Sequence, residues 1–188
     1  MSKLVMLDTN ILFKFILIQE KVDIKESIPK DLKSCHQLMD KFYNRDFLNC
    51  TSDWNLLELR DVVYKYKLEK QLLLSGYHPT EFRNAQKNIK LKKEDMKSIE
   101  ELINHFRTYS IRYTAPINTN YIDSLSVNNI SMKDAMLLYE AQETPHCEAF
   151  ITKDNILINK IKKLPFEFAL PVYSIKGFLN AIPHPSNG

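Results

Sequence analysis

The sequence predicts an α/β protein in which a largely parallel sheet carries helices on both faces. Short apolar runs recur between stretches with helical spacing, and polar residues stand where those runs end; strands separated by helices make βαβ units. At 188 residues, with 44% hydrophobic and 26% charged content, the chain has the make-up of one globular domain. That domain is expected over residues 1–182, followed by a disordered tail over 183–188.

The first strand is read in "LVML", Leu4 to Leu7, a continuous apolar run of the kind buried in parallel sheets. A helix begins after it. "SCHQLMDKFY" has helical spacing at Leu38, Met39 and Phe42, and "FLNCTSD" is a short strand running into a cap at Ser52 or Asp53. "DWNLLELRDVVYKYKLEKQLLL" is a strong helix whose apolar face holds Leu56, Leu59, Val63 and Tyr66. Gly76, His78 and Pro79 mark a turn, and a polar helical stretch follows with a break near Leu91. Next come a strand in "SIRYTAP", a short helix in "TNYIDSL", a helix in "SMKDAMLLYEAQE", a strand in "EAFIT", a helix in "NILINKIKK" and a last strand in "LPVYS".

Composition removes several function classes. With only Gly76, Gly177 and Gly188, neither a dinucleotide-binding glycine fingerprint nor a phosphate-cradling glycine loop can be written. No nucleophile elbow is present, and Cys35, Cys50 and Cys147 lack zinc spacing, so they are read as reduced thiols without a function. The opening apolar run is interrupted by Asp8, Asn10 and Lys14 and is far short of the roughly 20 residues that span a bilayer. It is read as core, in a cytoplasmic protein without a membrane partner.

Carboxylates remain. Asp8 stands at the carboxyl end of the first strand, where open α/β sheets place their ligands. Asp154 repeats that setting in "AFITKDNIL". Glu58 shares a helical row with Trp54 and Val62, which places it at the rim of the core. Asp134 has the spacing of a capping box with Ser131, and Asp123 and Glu143 are further acids with weaker context. Each acid alone has a plainer reading as a helix cap or ion-pair partner. Gathered in one pocket they would repel one another unless cations intervened, and oxygen-only ligands suit Mg²⁺ or Mn²⁺. Between residues 60 and 97 ten Lys/Arg stand against five Asp/Glu, a charge that attracts a phosphate backbone irrespective of sequence. Lys87, Lys90, Lys92 and Lys93 are its candidate contacts.

The strand ending in Asp8-Thr9-Asn10, the helical Glu58 in "WNLLEL", Ser131-x-x-Asp134-Ala135 and Thr152-x-Asp154 after a strand resemble, in that order, the motifs of the PIN-domain nucleases. The resemblance runs from residue 4 to about 175. It implies a three-layer α/β/α sandwich around a mostly parallel sheet, and Mg²⁺- or Mn²⁺-dependent hydrolysis of single-stranded RNA. Asp8, Glu58, Asp134 and Asp154 would be the metal-binding acids, with Thr9, Asn10 and Thr152 orienting them. Many members of that family are toxins silenced by an antitoxin protein, and many form homodimers. This chain departs from the compact toxin-like members in a basic helical elaboration around 65–118. Two other classes compete: a catalytically silent module binding RNA or protein, and a structure-specific DNA nuclease. Phosphoryl transfer through an aspartyl nucleophile is disfavoured, because Asn10 holds the place of its second Asp.

Overall fold

Five short strands, β1 (Lys3–Leu7), β2 (Phe47–Thr51), β3 (Ser110–Arg112), β4 (Cys147–Thr152) and β5 (Val172–Ser174), all pair in parallel in the order β3-β2-β1-β4-β5. The computed structural model describes residues 3–87 and 89–182; the predicted tail, 183–188, lies outside them. Parallel strands bury both faces, which explains the unbroken apolar run of β1. Side chains alternate across it: Val5 and Leu7 enter one core and Met6 the other.

The first core is covered by α1 (Thr9–Asp23), α2 (Lys33–Tyr43), α3 (Asp53–Leu74), α5 (Lys93–Thr108) and α9 (Ile175–Ala181). The second lies beneath α6 (Thr119–Ser126), α7 (Met132–Glu143) and α8 (Asn155–Ile161). The result is the three-layer sandwich. A single helical turn, α4 (Phe82–Ala85), precedes α5, which starts at Lys93. Within 65–118, therefore, the end of α3, α4 and α5 are helical, while Ser110–Arg112 is the edge strand of the sheet itself.

α3 spans the residues read from its pattern and buries Leu56, Leu59 and Val63. It stops at Gly76, whose φ of 85° closes the end, with the Tyr77 N–H on the Leu72 carbonyl and the Gly76 N–H on the Leu73 carbonyl. A side chain at that φ is strained, so the one glycine in the region falls where the backbone needs it. α9 was not anticipated: its pattern of Ser174 as cap, then Ile175, Phe178 and Ile182, is short and merges with β5. Among the described residues no helix is long and apolar enough to cross a membrane.

The order of strands decides where a ligand would enter. From β1 the chain moves outward to β2 and β3, then returns to the other side of β1 as β4 and β5. The helix after β1 covers one face and the helix after β4 the other, so the two connections diverge and open a crevice at the carboxyl ends of β1 and β4.

Candidate functional site

Asp8 directly follows β1 in this crevice and is only 3% exposed. The Thr152 hydroxyl, at the end of β4, donates to Asp8 Oδ2 at 2.5 Å, and the Asn10 N–H donates to Oδ1 at 3.3 Å. Burial pushes the Asp8 carboxyl up to about 6; the Thr152 and Asn10 bonds oppose the shift, and the negative charges of Asp134 and Glu58 add to it. Those two acids thus share the electrostatic field of Asp8.

Glu58 comes to this edge because Ser52 caps α3 directly after β2, placing the first turns of the helix beside the carboxyl end of the sheet. The buried Thr9 hydroxyl donates to Glu58 Oε2 at 2.8 Å, and the Lys133 ammonium lies 3.6 Å from Oε1. Asp134 begins α7: its N–H bonds the Ser131 hydroxyl, which donates to Asp134 Oδ2 at 2.6 Å. The Ser131 side chain caps α7 as expected, and the negative charge of Asp134 is among those that raise the Asp8 carboxyl. Asp154 serves its own helix, with Oδ1 accepting from the N–H groups of Ile156 (2.7 Å) and Leu157 (3.0 Å). Its N–H donates to Thr152 Oγ1 at 3.0 Å, so Thr152 joins the two strand ends. Asn10 acts on Asp8 through its backbone, its side chain being exposed. Asp123 is exposed on α6, and no hydrogen bond or ion pair joins its side chain to the other acids among the described residues.

Two asparagines that carried no signal as site residues shape this edge. At Leu7 the link between β1 and β2 passes to side chains: Asn49 Oδ1 accepts from the Leu7 N–H at 3.0 Å, and Asn55 Nδ2 donates to the Leu7 carbonyl at 3.1 Å. Both are buried and held in turn, Asn49 by Ser110 and Asn55 by Thr51. An amide inside the apolar run "FLNCT" was the available clue. Lys133, next to Asp134 in "SMKDAM", was also missed. So was the approach of Cys50 to Cys147, whose Sγ atoms lie 3.6 Å apart despite their distance in sequence.

The donor chemistry suits a hard divalent cation. Asp8, Glu58 and Asp134 offer only oxygens, and a positive charge would relieve a buried acid whose charged neighbours are acids. Among the described residues, however, no three Asp, Glu, His or Cys side chains stand close enough to surround one ion. The set is a shared field rather than a closed cage.

The basic stretch divides in two. Arg60, Lys65, Lys67, Lys70 and Lys97 pair with Glu100, Asp61, Asp95, Glu20 and Glu101. Arg83, Lys87, Lys90, Lys92 and Lys93 are exposed and have no ion-pair partner among the described residues. Compared with protein-family models, curated proteins and solved structures, the chain matches none.

Two outcomes are expected from this geometry. Thr152→Val keeps the shape of the side chain but removes the donor to Asp8, so the Asp8 carboxyl rises further and Mn²⁺ binding weakens by about 10–100-fold. Mn²⁺ titration of both proteins checks this, and equal affinities would exclude a positioning role. Glu140 on α7 is 3% exposed with Oε2 unpaired, and burial raises its carboxyl to about 7, the Ser52 hydroxyl offsetting and Asp53 adding to the shift. A folded pKa above the unfolded value means that stability is lost as pH rises from about 4.5 through 7. Glu140→Gln should therefore flatten the fall of Tm between about pH 5 and 8, and an unchanged slope would contradict the assignment.

Proposed function

We propose that this protein is a Mg²⁺- or Mn²⁺-dependent nuclease of PIN-domain type that hydrolyses phosphodiester bonds in RNA. The observation that carries the reading is Asp8: a buried carboxylate at the switch point of the sheet, under the charges of Glu58 and Asp134. Asp8 would bind the ion, drawn there by the charges of Glu58 and Asp134, since each carboxylate oxygen keeps a lone pair beyond the hydrogen bond it accepts. Bound there, the ion supplies Lewis acidity that makes water easier to deprotonate and offsets charge on the phosphate. Thr152 fixes the Asp8 carboxylate and Thr9 that of Glu58, so neither has to be oriented during the reaction. Lys133, its side chain 57% exposed beside Glu58, presents a positive charge to an incoming phosphate.

The test is cleavage of end-labelled single-stranded RNA and matched DNA by the purified protein with Mg²⁺, Mn²⁺ or chelator. RNA cut only with metal supports the reading. Preferential cutting of DNA would move it to the DNA nuclease, since metal and phosphate contacts favour neither sugar.

One observation favours a second reading, a non-catalytic module of the same type that binds RNA or a protein. Every acid has an internal partner: Thr152 on Asp8, Thr9 and Lys133 on Glu58, Ser131 on Asp134 and the start of α8 on Asp154. RNA binding without cleavage under any metal would select it. A toxin role, with an antitoxin partner or a homodimer, belongs to the resemblance alone and is not part of the proposal.

A further inference from the structure

A groove of ≈ 510 Å³ runs along α3 and has Glu58 in its lining. Trp54, Leu57 and Tyr64 of α3 and Met96 of α5 form its apolar wall, with Lys133 of α7 at the lip by Glu58. From Trp54 to Tyr64 is ten residue steps along the helix, a length of about 15 Å. Leu57, at 55% exposure, is held open to solvent there.

The far end has a chemistry of its own. α3 and α5 run past each other in opposite directions, fixed by ion pairs of Arg60 with Glu100 and Lys67 with Asp95. The start of α5, and with it Lys92 and Lys93, therefore lies beyond Met96, within about one helical turn of the groove wall. Positive charge stands at Lys133 beside Glu58 and at the lysines beyond Met96, and the lining between them is aromatic and aliphatic surface interrupted by Arg60 and Asp61, which pair with Glu100 and Lys65.

We infer that this groove seats unpaired bases of a single nucleic-acid strand, stacked along Trp54 and Tyr64, with flanking phosphates at Lys133 and at Lys92 and Lys93. The inference rests on the nuclease reading for the position of the cleaved bond but not for binding itself. A duplex has its bases paired and stacked on one another and offers no free face to an apolar slot; an unpaired base does. Cations set apart along a wall that carries Trp54, Leu57, Tyr64 and Met96 are the pattern that a strand of alternating phosphate and base completes. An apolar peptide would leave Lys92 and Lys93 without partners.

Trp54 is the only tryptophan of the chain, so its emission reports on the groove directly. The intact protein is titrated, in chelator so that nothing is cut, with a short oligouridylate and with an abasic sugar-phosphate chain of equal length. Fluorescein-labelled copies give affinity by anisotropy. The base-containing strand should quench Trp54 and bind about tenfold tighter than the abasic chain. Tyr64→Leu, which keeps apolar bulk, should remove about that factor for the oligouridylate and leave the abasic chain unchanged. Leu57→Gln, at an exposed position that folding does not need, should weaken the oligouridylate as well.

Equal binding of the two chains, or binding that leaves Trp54 emission unmoved, would overturn the inference. The two readings separate cleanly. Quenching and a Tyr64 effect without cleavage under any metal leave the groove standing and remove the nuclease. Metal-dependent cleavage with Trp54 unmoved does the reverse.

Discussion

Asp8→Asn is expected to lower metal-dependent cleavage by on the order of 10²-fold or more, because it takes the one buried acid out of the field shared with Glu58 and Asp134. The substitution preserves what Asp8 does for the fold. An asparagine oxygen still accepts from Thr152, and asparagine caps a helix as well as aspartate. Stability should therefore move in the opposite direction from activity. The Asp8 carboxyl titrates at about 6 in the folded protein against 3.8 ordinarily, so the folded state holds its proton more tightly. Its neutral form is the stable one: the wild type loses stability as pH rises from about 4 to 6, by a total on the order of 3 kcal/mol, and stays at the lower level above that.

Asp8→Asn escapes this loss and should melt several degrees above the wild type at neutral pH and near it at pH about 4. Divalent cations should raise the wild-type Tm at neutral pH and leave the variant unmoved. Cleavage assays beside melting curves with and without Mn²⁺ read both effects. A variant that cuts at the wild-type rate, or responds to Mn²⁺ equally, would falsify the role given to Asp8.

Phe150→Ala should produce the greatest loss of stability. Phe150 is fully buried on β4, between Met6 of β1 and Val172 of β5, and packs into the core beneath α6, α7 and α8. Emptying that space costs about 3–5 kcal/mol, against a total of roughly 5–15 kcal/mol for a typical domain. Urea unfolding should show a lowered midpoint at unchanged slope. A loss below about 1 kcal/mol would mean that the layer collapses around the cavity and is less rigidly packed than its burial indicates.

Local pattern made most of the architecture readable. α3 was read from end to end, because its apolar residues recur at helical spacing between a capping Ser52 and the one glycine able to close it. β1, β2, β4 and β5 were readable because each is largely apolar, short and followed by a cap; β3, Ser110–Arg112, is neither apolar nor directly capped. α9 escaped because a seven-residue helix joined directly to β5 gives little more than one turn of periodicity. The site was less readable than the fold. Asp8, Glu58 and Asp134 could be nominated, but Asp154 and Asp8 had the same local context and each caps the helix that follows it; only the assembled structure buries Asp8 and brings Thr152 onto its carboxylate. Asn49 and Asn55 could not be nominated: each bonds a backbone group of Leu7 more than forty residues away.

The division has one physical cause. Helix, strand, cap and turn depend on neighbours a few residues apart, so apolar spacing and capping chemistry along the chain were sufficient to specify them. Charge fields, buried hydrogen bonds and grooves depend on which elements lie side by side, and that order, with β4 placed against β1 across more than a hundred residues of intervening chain, arises only when the sheet assembles. The assembled sheet joins Thr152 to Asp8, Thr9 to Glu58 and Lys133 to the same carboxylate, and it leaves Asp154 capping its own helix.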